Sequence, residues 1–213
     1  NVFAAIQTNL KHHAERTLLT IPNGRQLTGS DLDRESAILA GALMGLGLEA
    51  GDRVSAQIEK GWMNVVLYLA VLRSGAVYLP LNSAYTNSEI EYFVTDAESR
   101  LHICSSDRAE HVESLRSHIP ELQVLTLDDG SGSLIDVFVA AKTSGHMSDE
   151  VVSRTAHDLA SIIYTSGTTG KPKGAMITHS NLAANANMLT EAWAYSPNDV
   201  LLHALPLFHV HGL

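Results

Sequence analysis

Residues 54–81 read VSAQIEKGWMNVVLYLAVLRSGAVYLPL, in which two short apolar segments flank a longer one. The segments 54–58 and 77–81 have the length of buried strands, whereas 62–72 is apolar on nearly every face, which is typical of a helix buried between layers. Strands joined by such a helix pair in parallel through a right-handed crossover. Pro80 cannot donate a backbone hydrogen bond, so the end of the second strand is predicted to lie at a sheet edge.

The sequence on both sides of this run continues the alternation of helix and strand signals. Thr28 with Asp31, and Thr86 with Glu89, have capping-box spacing, and each pair begins a predicted helix, the first of which ends at Gly47. The residues predicted to face inward from these two helices are Leu32, Leu39, Leu43 and Leu46, and Ile90, Phe93, Val94 and Ala97.

Further strands and connections complete the predicted fold. Strands are expected at 101–104 and 122–127, and polar, turn-rich connections at 128–133 and 142–150, one of which would separate two layers. Because helices separate the strands, we predict an α/β fold with an open, mostly parallel sheet flanked by helices.

The composition is that of a globular, acidic protein. The 213 residues include 14 Lys and Arg against 23 Asp and Glu, a net charge of −9, and 45% are hydrophobic. This balance excludes a disordered chain, and the acidic charge argues against coating nucleic acid or an anionic membrane. The single cysteine, Cys104, cannot form an internal disulfide, and no Cys/His zinc spacing is present. We therefore expect a reducing, cytoplasmic setting.

No segment has the pattern of a membrane span or of a secretory signal. The longest unbroken apolar run, 65–72, is far shorter than the roughly 18 residues that a spanning helix needs. The chain begins without Met and stops directly after an apolar run, so we expect a fragment of a longer protein.

A second informative stretch, residues 159–177, reads LASIIYTSGTTGKPKGAMI. Two strand-like runs flank a loop whose glycines, hydroxyls and lysines suit a polyphosphate, because they supply many short donors and no carboxylate. The loop is not a Walker A sequence, since Gly167 and Gly170 are only two residues apart and Pro172 follows the lysine. Nor is it a dinucleotide fingerprint, which opens directly into a helix. On composition alone, a flexible linker or a plain hairpin remains an alternative.

The string from Tyr164 to Gly174 resembles the phosphate-binding signature of the adenylate-forming superfamily, which includes acyl-CoA synthetases, luciferases and peptide-synthetase adenylation domains. Every position of the usual Tyr-Thr-Ser-Gly-Thr-Thr-Gly-x-Pro-Lys-Gly form is met, and residues 26–32, 72–82 and 205–212 resemble other motifs in the same order. Glu59-Lys60 and the His209-x-His211-Gly212 pattern are most similar to malonyl-CoA synthetases.

The resemblance implies a two-step ligase. A carboxylate attacks ATP to form an acyl-adenylate, and coenzyme A then displaces AMP; Mg²⁺ is expected, with unknown ligands. The fold would be the N-terminal part of the adenylate-forming fold, with about 1–150 as a first α/β portion and about 156–213 as a phosphate-loop portion of one incomplete AMP-binding domain. The C-terminal domain would be absent, and the 213 residues alone inactive. The implied substrate is a short dicarboxylate such as malonate, and the implied metabolic role is in fatty acid metabolism.

The resemblance also implies roles for particular residues. The phosphate contacts would be Thr165, Ser166, Gly167, Thr168, Thr169, Gly170, Lys173 and Gly174. His209 would act at the acyl pocket as the catalytic residue, with His211 lining the same pocket. Lys171 occupies the variable position and is expected to be solvated. Without the motif, a histidine beside an apolar strand is more often a core or rim residue. A metal pair of His209 with His211 is rejected, because no third ligand is nearby.

The remaining motif residues are given structural roles. A helix over 179–193 is predicted to pack through Leu182, Leu189 and Trp193, and Cys104 to be a buried, inert thiol. His12, His13 and His179 are interpreted as surface or helix-entry residues. Two other functions remain open: a nucleotide-binding module without chemistry, and an adenylating enzyme that loads a carrier-protein thiol or oxidises a luciferin.

Overall fold

The computed structural model describes residues 1–165, 171–209 and Gly212. Its helices are α1 (Val2–His12), α2 (Gly29–Gly45), α3 (Trp62–Arg73), α4 (Asn87–Asp96), α5 (Ala109–Ser114), α6 (Ser133–Ser144) and α7 (His179–Ala192). Its strands are β1 (Thr17–Thr20), β2 (Gln26–Thr28), β3 (Arg53–Gln57), β4 (Val77–Pro80), β5 (Ser99–Cys104), β6 (Gln123–Thr126), β7 (Leu159–Thr165) and β8 (Lys173–Thr178). Two short 3₁₀ helices, Ser106–Arg108 and Leu115–Ser117, flank α5.

Six of the described strands form one sheet in the order β6-β5-β3-β4-β7-β8. All neighbouring pairs are parallel except β7 and β8, which form an antiparallel hairpin, and β1 with β2 forms a separate small ribbon. The predicted open, mostly parallel α/β sheet is therefore confirmed.

The edge position predicted from Pro80 is wrong. Strand β4 lies inside the sheet, between β3 and β7, and Pro80 is its last residue, opposite Ala56 of β3. The backbone N–H groups of Val77 and Leu81 donate to β3 or its flank, so the missing N–H of Pro80 falls on the β7 side. Pairing with β7 is limited there to Tyr78 and Ser161, so no hydrogen bond of the ladder is lost.

The two predicted capping boxes begin helices as expected. The Asp31 N–H donates to Thr28 Oγ1 at 3.1 Å, and the Thr28 N–H donates to Asp31 Oδ2 at 3.0 Å. Thr86 and Glu89 make the same reciprocal arrangement at the start of α4. Both helices bury the predicted faces except at Leu46, which caps α2 and is 36% exposed.

The core has two parts, one on each face of the sheet. Helices α1, α2, α3 and α6 pack on one face, and α3 is buried almost all round, as predicted. Helices α4 and α5 pack on the other face, together with residues of β7 at the start of the candidate loop.

Two expectations for the second half of the chain are wrong. Lys142 and its neighbours up to Ser144 belong to helix α6, not to a polar connection, because the apolar residues Leu134, Phe138 and Ala141 recur on its buried face. Trp193 does not pack helix α7: it caps the helix, is 62% exposed and meets the ring of Tyr195. Leu182 does contact the core, as predicted.

Candidate functional site

The carboxyl ends of β3, β4, β5, β6 and β7 lie at one edge of the sheet, because these strands are parallel. Neighbouring strands β3 and β5 lead to helices on opposite faces, α3 and α5. Such a divergence opens a crevice, which is where open α/β sheets bind ligands. The candidate phosphate loop follows the carboxyl end of β7 and therefore starts at this same edge.

Thr165 and Lys173 close the β7–β8 hairpin at the base of the candidate loop. They are paired across the ladder, and Thr165 Oγ1 lies 3.5 Å from the Lys173 carbonyl oxygen. Both residues are exposed, so the Lys173 ammonium is accessible to an anion. The other predicted contacts, Ser166, Gly167, Thr168, Thr169 and Gly170, lie outside the described residues.

Gly174, predicted to contact phosphate, has a packing role within the hairpin. It is paired with Tyr164, and a Cβ atom added to it would come within 2.9 Å of Ile162 Cγ2 and 3.4 Å of the Tyr164 ring. Real Cβ contacts are essentially never so short, so a larger residue would displace one of these side chains. The glycine lets the Tyr164 ring lie across the hairpin.

Tyr164 is the first residue of the signature string and is held by hydrogen bonding as well as packing. Its hydroxyl donates to Asp96 Oδ2 at 2.5 Å. Burial, followed by this bond to the carboxylate, raises the pKa of Tyr164, so the phenol stays protonated and remains a donor at neutral pH.

Lys60 tethers the segment that leads to His209. Its ammonium donates to the Leu205 carbonyl oxygen at 2.8 Å and lies 2.9 Å from Nδ1 of His203, whose carbonyl oxygen it also contacts. These contacts fix the segment over the connection between β3 and α3. A cavity of about 200 Å³ lies between the two, lined by residues that include Asn64 and Phe208.

His209 follows Phe208, which lines this cavity. Its backbone N–H donates to the Pro206 carbonyl oxygen at 3.3 Å, and its ring centroid is 6.0 Å from that of Phe208. The residue is exposed, so its imidazole is accessible and not part of the core of the described residues. His211, the second predicted pocket residue, lies outside the described part of the chain.

A larger cavity, of about 500 Å³, occupies the crevice at the ends of β3 and β5. Gln57 lines it and is only 2% exposed. Its Nε2 donates to the carbonyl oxygens of Tyr85 at 3.0 Å and Asn82 at 3.2 Å, but its Oε1 has no partner among the described residues. Arg108, also lining the cavity, donates to the Tyr85 carbonyl oxygen at 2.7 Å.

No pattern in the sequence pointed to this crevice. A buried acceptor without a partner is uncommon and calls for a donor from water or a ligand. One sequence signal could have indicated this crevice: a glutamine, Gln57, at the carboxyl end of a strand that is buried along most of its length. Four carboxylates line the same cavity (Glu59, Asp107, Asp128 and Asp129) against two cations (Lys60 and Arg108). The lining is therefore net negative, and it suits a polar donor better than a bare phosphate.

Two expectations about chemistry can be compared with the described residues. Cys104 is buried, and burial raises the pKa of its thiol to about 12, in agreement with the predicted buried thiol. Within 1–165, 171–209 and 212, no three His, Cys, Asp or Glu side chains are grouped to hold a metal ion. The described residues therefore offer no complete protein cage for a metal ion, and Mg²⁺ at a nucleotide is usually held by only one or two carboxylates together with phosphate oxygens.

The described helices fall short of the requirements of a membrane span. None of those in residues 1–165 and 171–209 is both long and apolar enough to cross a bilayer.

Comparisons with known proteins place this chain in a family. The family described as AMP-binding enzyme matches residues 6–213. A mitochondrial malonate–CoA ligase of Mus musculus is 36% identical over 174 residues, which cover 78% of this chain and 28% of that protein. An oxalate–CoA ligase of Arabidopsis thaliana is 33% identical over 171 residues, which cover 78% of this chain and 32% of that protein.

Solved structures agree with these relatives. The crystal structure of apo MatB from Rhodopseudomonas palustris has a TM-score of 0.91 at 40% identity, over 100% of this chain and 41% of MatB. The ATP-bound form of MatB gives the same values. The chain thus spans less than half the length of each of these proteins.

The family match extends over nearly the whole chain, and the fold agrees with that of the matched 41% of MatB. The resemblance inferred from the signature string is therefore confirmed. The chain belongs to the family of AMP-binding enzymes.

Proposed function

We propose that the protein containing this chain is an ATP-dependent acid–thiol ligase that activates a carboxylic acid and transfers it to coenzyme A. The observation that carries the proposal is the β7–β8 hairpin. Its strands hold the two ends of the signature string, Tyr164 and Gly174, at the carboxyl edge of a mostly parallel sheet, in a chain of the AMP-binding family. CoA ligases among the relatives support the same reaction class.

In the first step a carboxylate oxygen attacks the α-phosphorus of ATP, the bond to the bridging oxygen breaks, and pyrophosphate leaves. We propose that Thr165, Lys173 and the residues between them hold the β- and γ-phosphates, because nucleotidyl transfer depends on positioning and on neutralising charge. Lys173 is accessible for this at the start of β8. Magnesium is part of the proposal, and the residues that would bind it are unknown.

In the second step the thiol of coenzyme A attacks the acyl carbon, and AMP departs with the electron pair of the broken bond. We propose His209 and His211 as residues of the acyl pocket, His209 being the one that contacts the reacting carboxylate. The tether of Lys60 to Leu205 supports this, because it fixes the segment that ends at His209.

A short dicarboxylic acid such as malonate is the proposed substrate. The relatives named as malonate–CoA and oxalate–CoA ligases support this class of acid. The signature-bearing residues 156–213 and the preceding residues 1–150 are proposed as two portions of one AMP-binding domain, because β7 pairs with β4 of the first portion. A cytoplasmic location and a role in fatty acid metabolism remain part of the proposal.

Carboxylate-dependent release of pyrophosphate by the complete protein tests the proposal. Lys173→Ala together with Thr169→Ala should abolish it, because both remove phosphate contacts, whereas Lys171→Ala should retain most activity. Each charged contact is worth about 2–3 kcal/mol, so the double variant should lose at least a hundredfold. Binding of ATP without pyrophosphate release would favour a nucleotide-binding module, and an acyl-adenylate that coenzyme A does not discharge would favour another acceptor.

A further inference from the structure

Helix α4 holds the β8 side of the hairpin at the base of the candidate phosphate loop. The Tyr92 hydroxyl donates to the carbonyl oxygen of Pro172, the residue before β8, at 2.9 Å. The Lys171 ammonium lies 5.7 Å from the centroid of the Tyr92 ring, within the range of a cation–π contact. The lysine that the sequence analysis expected to be solvated is thus exposed but placed over an aromatic ring.

The same helix also holds the β7 side. Phe93, which is 1% exposed, packs its ring against that of Tyr164 with the centroids 4.5 Å apart. One turn further along α4, Asp96 accepts the hydrogen bond from the Tyr164 hydroxyl. Both strands of the hairpin are therefore attached to one rigid element within a single helical turn.

We propose that Tyr92, Phe93 and Asp96 are positioning residues that fix the separation of the two loop stems, and thereby the geometry in which the loop meets the phosphates of ATP. This inference rests on the proposed function. Strand β8 lies at the edge of the described sheet and pairs only with β7, and a two-stranded ribbon by itself is weakly held. Contacts to phosphate lose their effect when donors are displaced by a fraction of an ångström, so the stems need a fixed support.

Gly174 provides an independent reason to assign this role. Its missing side chain leaves the space in which the Tyr164 ring crosses the hairpin toward Phe93. The hairpin thus presents an aromatic ring to α4. A loop that did not depend on support from α4 would not need this ring.

Four single substitutions in the complete protein test the proposal. Tyr92→Phe removes the hydroxyl that contacts Pro172 and keeps the ring. Tyr85→Phe is the matched control: its ring lies 4.9 Å from Phe93 in the same aromatic cluster, but its hydroxyl makes no hydrogen bond to any described residue. Asp96→Ala removes the acceptor for Tyr164, and Asp96→Asn restores an acceptor without the charge.

Three readouts separate positioning from general stability: the KM for ATP, the KM for the acid, and amide hydrogen exchange of residues 171–178. We expect Tyr92→Phe to raise the KM for ATP about three- to tenfold, the range for one lost neutral hydrogen bond, while the KM for the acid stays unchanged. Asp96→Ala should act in the same direction, Asp96→Asn should revert most of its effect, and Tyr85→Phe should match the wild type. Exchange of residues 171–178 should accelerate in Tyr92→Phe only.

An unchanged KM for ATP in both Tyr92→Phe and Asp96→Ala, together with unchanged exchange in Tyr92→Phe, would overturn the proposal. Equal changes in both KM values together with a lower melting temperature would also overturn it. The exchange measurement needs no activity. If the wild type released no pyrophosphate but Tyr92→Phe still loosened residues 171–178 and weakened ATP binding, the support by α4 would stand and the proposed ligase reaction would fail.

Discussion

Ser55 Oγ and His102 Nδ1 lie 2.8 Å apart on the neighbouring strands β3 and β5, and both residues are completely buried. Burial lowers the pKa of His102 to about 3, so the imidazole is neutral in the folded protein. No carboxylate contacts the ring among the described residues, and its Nε2 has no partner there. The pair therefore places two polar side chains in the centre of the sheet without placing a charge there.

This pair predicts a loss of stability in mild acid. The unfolded chain takes up a proton on His102 near pH 6.5, whereas the folded protein resists it until about pH 3, so stability is intact above pH 6.5 and falls as the pH decreases toward 3. The slope from this one group is at most about 1.4 kcal/mol per pH unit. Urea unfolding between pH 7 and pH 4.5 measures it.

His102→Asn is the control for the acid effect, because it removes the titrating group. Its stability should depend less steeply on pH than that of the wild type. His179, whose pKa is lowered to about 4 by burial, contributes a slope of the same sign and remains in the variant. The same slope in wild type and variant would contradict the assignment to His102.

Gly174→Ala should disturb the hairpin, although it adds only one methyl group. The new Cβ would come within 2.9 Å of Ile162, and overpacking of this kind typically costs about 1–3 kcal/mol. We expect weaker ATP binding together with lower stability, measured by calorimetry and thermal unfolding. Gly61→Ala serves for comparison of stability, because its φ is −166° and its Cβ would meet nothing within 4 Å. Equal melting temperatures of the two variants would refute this explanation.

Lys60→Met should affect the acid and not the nucleotide. It removes the tether to Leu205 and His203 while keeping the aliphatic stem, so the segment that ends at His209 loses its fixed position. For an exposed group we expect roughly a fivefold rise in the KM for the acid, with the KM for ATP unchanged. Lys11→Met, at the end of helix α1, is the matched exposed control. A change confined to the KM for ATP would show that the tether does not act on the acyl pocket.

Arg73→Met should destabilise the fold strongly. The Arg73 side chain is 1% exposed, pairs with Asp33, donates to backbone carbonyl oxygens including that of Ser148 at 3.2 Å, and lies 4.6 Å over the Phe3 ring. Removing one partner of a fully buried pair costs about 3–5 kcal/mol. Because the Asp33 side chain is 20% exposed, we expect a loss near the lower end of this range. Arg116→Met, in an exposed pair with Glu113, should change stability by less than about 1 kcal/mol. Similar free energies of unfolding for the two variants would contradict this contrast.

Local signals in the sequence account for much of the fold. The capping boxes at Thr28 and Thr86 begin helices because their contacts lie within four residues. The run 62–72 is a buried helix because a helix that is apolar on nearly every face must be covered by the rest of the protein. Helix α6 was not predicted: its N-cap, Gly132, contributes no side-chain hydrogen bond, so the usual start signal is absent. The interior position of β4 depends on where β7 docks, which Pro80 alone does not reveal.

The candidate site also has some features that the sequence predicts and others that it does not. The signature string and its hairpin follow from the chain itself, since its flanking strands are adjacent in sequence. The support by Tyr92 and the packing of Gly174 depend on contacts between segments about 80 residues apart or on a ring lying across the hairpin, and neither leaves a local pattern. Gln57 at the crevice likewise becomes noticeable only once its neighbours are placed.

The position of the triphosphate in crystals of the complete protein with a non-hydrolysable ATP analogue tests the central claim most directly. The account predicts that the β- and γ-phosphates contact the chain between Thr165 and Lys173, with the Lys173 ammonium within hydrogen-bonding distance of a phosphate oxygen. Density for the triphosphate in the crevice beside Gln57 and Arg108, with the hairpin untouched, would contradict it.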